Sequence, residues 1–208
     1  MLNLVIITSV INAFVPSIYS STERLEQTLR SIQTVKDKIP NSYIVLLEGS
    51  QLNEDHSIIL RSKTDELFYI DVSGLPKSVG ELTLLDSYLN CENFNIIKDK
   101  INSLSKLSGR YYLNDNFKFV DNNLCMVKKT DKSWSGKGTY DTRFYKIPKI
   151  LLNNYITNLK QVYLNRYNIH DIEHGFYEYQ VISKDNIMLL DKLGVSGNYA
   201  PNGGYVED

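Results

Sequence analysis

Two kinds of apolar spacing alternate along this chain. Leu4-Val5-Ile6-Ile7-Thr8-Ser9-Val10 is an unbroken, largely β-branched run of strand length, the pattern of a strand covered on both faces. Leu25, Leu29 and Ile32 then recur at helical spacing, and Ser20 followed three residues later by Glu23 predicts a capping box at that helix's start. Ile39-Pro40-Asn41 ends the helix, and Tyr43-Ile44-Val45-Leu46-Leu47 reads as a second strand closed by Glu48-Gly49-Ser50. A strand–helix–strand unit of this kind predicts a right-handed parallel crossover.

The alternation continues. Leu67 to Val72 reads as a third strand ending at Gly74, and Glu81 to Leu89 and Ile96 to Leu107 read as helices, the second through Ile97, Ile101 and Leu104. Gly109 to Leu113, Leu124 to Val127 and Arg143 to Lys146 are short strand-like stretches. Pro148 opens a long helix through Leu152, Ile156, Leu159 and Tyr163, and a helix or turn follows around Asp171 to Tyr179. The tail from Gly194 to Asp208, rich in Gly, Asn and Pro, reads as loop. The pattern predicts an α/β fold of Rossmann type, with a mixed, mainly parallel sheet flanked by helices, in one domain covering all 208 residues.

Composition narrows the function classes. A formal net charge of −1 gives no electrostatic case for nucleic acid or for an anionic membrane surface. Cys91 and Cys125 form neither a disulfide framework nor a zinc spacing, so a reduced, cytoplasmic setting is expected. The apolar Leu2 to Val15 stretch lacks a basic leader, is interrupted by Asn3 and Asn12, and is too short to span a bilayer; a buried first strand is the expectation, and no membrane span follows. The 15 tyrosines suit sugar stacking and ordinary half-buried packing alike.

In an open α/β sheet, ligands bind beyond the carboxyl ends of the strands. That rule selects Ser9 and Asn12 after the first strand, Glu48 after the second, Asp71 after the third, and Asn114-Asp115-Asn116 after the Gly109–Leu113 stretch. No glycine-rich phosphate loop, G-x-S-x-G elbow, H-E-x-x-H or C-x-x-C is present. Asp115 has the oxygen chemistry to hold a hard divalent cation, with Asn114 and Asn116 free for a ribose or sugar hydroxyl; the same residues also make an ordinary Asx turn. His170-Asp171-Ile172-Glu173-His174 is the second constellation: a base, two imidazoles, or a solvated helix end.

Lys106-Leu107-Ser108-Gly109-Arg110-Tyr111-Tyr112-Leu113-Asn114-Asp115 resembles the segment leading to the D-x-D element of small GT-A-like glycosyltransferases of large DNA viruses and bacteria. The segment Glu23 to Ile32, with Pro40 and a strand ending in Leu47-Glu48-Gly49-Ser50, is similar to their opening βαβ unit, and Lys77-Ser78-Val79-Gly80-Glu81 to their donor-side loop. The resemblance implies a GT-A-like fold, and transfer of a sugar from a nucleoside diphosphate sugar to a hydroxyl of a glycan or glycoprotein, in a host's cytoplasm if the chain is viral. It implies Glu173 or Asp171 as catalytic base, and Asp115 with His174 as ligands of Mn²⁺ or Mg²⁺. Lys77, Arg110 and Arg24 join Ser9, Asn12, Glu48, Asp71 and Asn114 on the donor side.

The chain departs from the family at one point. Asn114-Asp115-Asn116 carries one carboxylate where D-x-D carries two. Arg143 and Lys146 are further cations that could face a diphosphate, and Trp134, in a glycine-flanked loop, reads as a sugar cover, a lid anchor or a core plug. Two alternatives stand beside the transferase. A sugar nucleotidyltransferase normally has a glycine-rich basic loop after its first strand, and Ser9 to Ser21 contains neither glycine nor a basic residue. A non-catalytic nucleotide-sugar or glycan-binding module is favoured by the missing second carboxylate.

Overall fold

The computed structural model describes residues 1–13, 17–130, 139–198 and 203–208; Trp134 lies outside them. The first unit forms as the spacing predicts: β1 (Leu2–Ser9), α1 (Ser21–Lys38) and β2 (Ser42–Glu48), with β1 and β2 parallel. Both halves of the capping box are made. Ser20 Oγ accepts from the Glu23 amide at 3.3 Å, and the Ser20 amide donates to the Glu23 carboxylate at 2.7 Å. A further helix, α2 (Glu54–Lys63), then leads to β3 (Glu66–Tyr69), which pairs parallel with β2.

Next come α3 (Lys77–Leu89), α4 (Glu92–Ile97) and β4 (Ile101–Ser108). The reading of Ile96 to Leu107 as one helix is therefore wrong. Its first residues end α4, and the rest is a strand between β1 and β9 (Phe144–Pro148). The reason is burial on both faces. Ser103 and Ser105 are buried, so the strand shows no apolar alternation, and Ile97, Ile101 and Leu104 fall at helical spacing by coincidence. The polar interior is partly satisfied locally, with Ser103 Oγ donating to Asn3 Oδ1 at 2.9 Å.

β5 (Tyr111–Leu113) leaves the main sheet, and β6 (Cys125–Val127), β7 (Lys129–Thr130), β8 (Thr139–Tyr140), α5 (Leu152–Leu164), α6 (Ile172–Glu178) and β10 (Ile187–Leu189) follow around β9. Among the described residues the main sheet has seven strands in the order β10-β6-β9-β4-β1-β2-β3. β4 is parallel to β1 but antiparallel to β9, which in turn is antiparallel to β6. The tail, read as loop, contributes β11 (Val195–Asn198) and β12 (Tyr205–Glu207), which join β5 in a small antiparallel sheet. Backbone pairing overrides the loop-like composition there.

Successive residues of β1 serve opposite faces. Leu4 and Ile6 pack with Leu82, Leu85 and Leu159 of α3 and α5, while Val5 and Ile7 pack with Leu25, Ile32 and Val35 of α1. Helices cover both faces, and the carboxyl ends of β1, β2 and β4 open at one edge with the start of β9 beside them. Among the described residues, no helix is long and apolar enough to cross a membrane.

Candidate active site

At the end of β2, Glu48 is fully buried and ties two loops together. Its Oε1 accepts from the Ile11 amide at 2.9 Å and the Ser50 amide at 3.0 Å, as well as from the Ser50 hydroxyl. Burial raises the Glu48 pKa above its usual value, against the pull of these hydrogen bonds. Asn12 follows the same loop, its amide donating to Ser50 Oγ at 2.9 Å. Ser9 Oγ lies 3.2 Å from Thr28 Oγ1 on α1. Arg24 reaches back from α1, with one guanidinium nitrogen 2.9 Å from the Val10 carbonyl and another 2.8 Å from Ser17 Oγ. The loop beyond β1 is therefore held from two sides. Asp71 is exposed beyond β3 and accepts from the Ser73 amide at 2.9 Å.

A denser cluster sits across β4. Lys106 is completely buried and forms an ion pair with Glu81 in the early turns of α3. Its ammonium also donates to Ser108 Oγ at 2.7 Å and to the Thr142 carbonyl at 2.8 Å. One cation thus joins the end of β4, the start of α3 and the approach to β9. Burial pushes the Glu81 carboxyl up, but Lys106, then Lys77, more than offset it, so its pKa lies below the usual range.

Glu173, on the first turn of α6, faces this cluster and accepts from Thr142 Oγ1 at 2.8 Å. Its pKa is raised, first by burial and then by the negative charge of Glu81; Thr142 and Lys77 pull the other way. Two neighbouring carboxyl groups are thereby separated in acidity, one lowered by lysine and the other raised by burial.

Arg110, half-buried just past β4, acts on Glu81 from one side and on Arg24 from the other; burial and then Arg110 hold the Arg24 pKa below its usual value. The backbone passes close at this point. A side chain at Gly109 would bring its Cβ to 3.0 Å from the Thr8 carbonyl, to which the Gly109 amide already donates at 2.8 Å. Glycine lets the chain leave β4 tightly and deliver Arg110 to the sheet's edge.

The sequence-selected residues therefore divide. Ser9, Asn12, Arg24, Glu48, Asp71, Lys77, Arg110 and Glu173 lie at the carboxyl edge of the sheet. Asp171 is taken up as the cap of α6: it accepts from the His174 amide at 2.8 Å and contacts His174 Nδ1 at 2.6 Å and His170 Nδ1 at 3.1 Å. Arg143 pairs with Asp141 and Asp208, and the Lys146 ammonium is held by the Asn122 carbonyl at 3.0 Å.

Asn114 and Asp115 lie elsewhere, and the expectation that they stand at a ligand-facing strand end is corrected. β5 turns back along α1. The Gly109 carbonyl meets Thr28, the Tyr111 carbonyl meets Ser31, the Leu113 amide meets Thr34, and Asp115 meets Lys38 at 3.2 Å. Thr28 to Lys38 is about 15 Å of helix at the usual rise per residue, so Asp115 sits toward the opposite edge of the sheet, fully exposed. Asn114 closes the Asx turn, its Oδ1 accepting from the Asn116 amide at 2.9 Å, and binds Ser196 and the Asp208 carbonyl.

Sequence reasoning missed the pairing of Lys106 with Glu81. The available signal was a lysine between Leu104 and Leu107, concealed once that segment was read as an amphipathic helix.

No protein-family model matches the chain, and no curated protein matches it by sequence. Among solved structures, the glycosyltransferase GlyE of Streptococcus pneumoniae TIGR4 matches 91% of this chain with a TM-score of 0.50 at 9% identity. The fold is GT-A-like. This chain spans 45% of the matched GlyE chain, a little under half its length.

GT-A-like enzymes commonly hold a divalent cation through carboxylates, and the donor set at this sheet edge does not fit one. Where β4 ends, Ser108-Gly109-Arg110 supplies a hydroxyl and a cation but no carboxylate. Glu81 is engaged by Lys106, Glu173 accepts from Thr142 Oγ1, and Asp71 stands alone beyond β3, accepting from the Ser73 amide. Asp115 and His174, expected as ligands of one ion, are not brought together. His170, Asp171 and His174 do place three ligand atoms within 4.8 Å of one another, but two imidazoles and one carboxylate suit zinc better than hard Mg²⁺ or Mn²⁺.

Proposed function

We propose that this chain transfers a sugar from a nucleoside diphosphate sugar to a hydroxyl group of a glycan or glycoprotein. The observation that carries the reading is the pairing, at one sheet edge, of a base and a cationic patch. Glu173 is a half-buried carboxyl of raised pKa, and the side chains of Lys77 and Arg110 have no hydrogen-bond or ion-pair partner among the described residues. The GT-A-like fold supports the reading, because open α/β sheets bind ligands beyond the carboxyl ends of their strands.

In the proposed reaction the Glu173 carboxylate takes the proton of the acceptor hydroxyl. The hydroxyl oxygen bonds to the anomeric carbon as the bond from that carbon to the diphosphate breaks. Lys77 and Arg110 take up the charge that develops on the leaving diphosphate. The nucleoside lies along Ser9, Asn12 and Asp71, with Arg24 and the buried Glu48 fixing Val10 and Ile11 beside it. A raised pKa makes Glu173 a stronger proton acceptor than an ordinary carboxylate.

A second reading, a non-catalytic nucleotide-sugar or glycan-binding module, is favoured by the absence of a carboxylate at the end of β4. Thermal unfolding against UDP, GDP, ADP, CDP and their sugars tests the donor class. A ligand at about 100 times its Kd adds about 2.7 kcal/mol of stability. Donor hydrolysis by the same protein distinguishes an enzyme from a module. Lack of stabilisation by every diphosphate would remove the transferase and the nucleotide-sugar module and leave only a glycan-binding one.

A further inference from the structure

We infer that the diphosphate of the donor is held by the chain's own cations, chiefly Arg110 with Lys77, and that no divalent metal ion takes part. This rests on the donor reading above and specifies how the same site handles charge. Three observations support it.

The first is position. The end of β4, beside β1, opens at the edge proposed for the donor, and the chain places Ser108-Gly109-Arg110 there, with no carboxylate to hold a cation. The acidic residue nearest in sequence, Asp115, is carried away along α1 to Lys38. The close approach at Gly109 fixes this path, because the amide there is bonded to Thr8 and a Cβ would crowd the same carbonyl.

The second is charge. Arg24, Lys77, Lys106 and Arg110 converge on the edge, where burial disfavours ionisation of Glu48. Against them stand the carboxylates of Glu81, Glu173 and Asp71, so one positive charge remains over at the edge. A nucleoside diphosphate sugar brings negative charge to meet it. A divalent ion beside these four cations would meet repulsion rather than a ligand cage.

The third is availability. Lys106 is consumed by Glu81, Ser108 and Thr142, and Arg24 by the loop after β1. Arg110 remains half-buried with its guanidinium uncommitted among the described residues, next to a second arginine. Arginine's planar fork matches phosphate oxygens in a bidentate contact, and lysine serves as a point charge.

The test measures binding of UDP, GDP, ADP and CDP to the intact chain by calorimetry, in EDTA and again with Mn²⁺ or Mg²⁺. The diphosphate that binds should do so with the same affinity, within about twofold, in all conditions. R110A should weaken it by about tenfold or more, as expected for loss of a charge-assisted contact. R110Q, which keeps most of the side-chain volume, should do likewise if R110A folds poorly. D115N should bind like the parent.

Binding that requires Mn²⁺ and disappears in EDTA would overturn the inference while leaving the donor reading intact. Undiminished metal-free binding by both Arg110 variants would also overturn it, by moving the phosphate subsite. Failure of every diphosphate to bind in any condition would overturn the donor reading itself.

Discussion

Replacing Lys106 by methionine removes a charge from the most enclosed ionic contact at the site while keeping an unbranched apolar stem. Lys106 has no exposed surface, and the Glu81 side chain retains only 13% of its exposure. The change leaves an uncompensated carboxylate in a low-dielectric setting and strips Ser108 Oγ and the Thr142 carbonyl of their donor. Removing one partner of a buried pair costs about 3–5 kcal/mol. For a chain of this size that corresponds to a melting-temperature drop of roughly 6–20 °C.

The double variant E81Q/K106M isolates the cause. It removes both charges, and replacement of a whole buried pair is often close to neutral, so most of the loss should return. Urea and thermal unfolding of the parent, K106M, E81Q and the double variant close the cycle. A K106M cost under about 1 kcal/mol, or a double variant no better than K106M, would refute the reasoning.

Two further outcomes follow from the caps and the buried acid. S20A should lower stability by about 1 kcal/mol, because it removes the hydroxyl that caps the Glu23 amide; a cost below a few tenths in urea unfolding would show that the box is unimportant. Burial raises the pKa of Glu48, so the folded chain holds a proton that the unfolded chain releases. The resulting stabilisation is complete below the unfolded pKa of about 4.3 and is lost as pH rises through the folded value. E48Q does not ionise. Its stability should therefore gain on the parent's over that range, and parallel curves would argue against a buried, proton-holding Glu48.

Legibility in the sequence followed how each element is stabilised. The opening unit was readable because local signals and packing agree: a β-branched run, a Ser20–Glu23 box, a helical stripe and Pro40. β4 was not, because a strand sealed on both faces by other elements tolerates Ser103 and Ser105 inside and loses its period. β11 and β12 were hidden for a related reason, since their order comes from pairing with β5 rather than from their own residues.

Site residues divide along the same line. Lys77, Arg110 and Glu173 could be selected from chain position and chemistry, and the structure gathers them at one edge. Asp115 looked equivalent in sequence, but strand ends are ligand-facing only in the direction the sheet gives them, and β5 runs back along α1. The Lys106–Glu81 contact spans α3 and β4, and its one local sign, a lysine between Leu104 and Leu107, was masked by the helical spacing.

The central claim is that Glu173 removes the acceptor's proton. Glu173→Gln keeps the shape and the acceptor for Thr142 Oγ1 while abolishing the base. Once the binding screen has identified the donor nucleotide, transfer or donor turnover by this variant should fall by about 10²–10⁴-fold. Affinity for the nucleoside diphosphate should stay within about twofold of the parent's, because its phosphates face Lys77 and Arg110. Asp171→Asn, which alters the helix cap and not the base, should retain most of the turnover. Parental turnover in Glu173→Gln, or a loss confined to Asp171→Asn, would contradict the account.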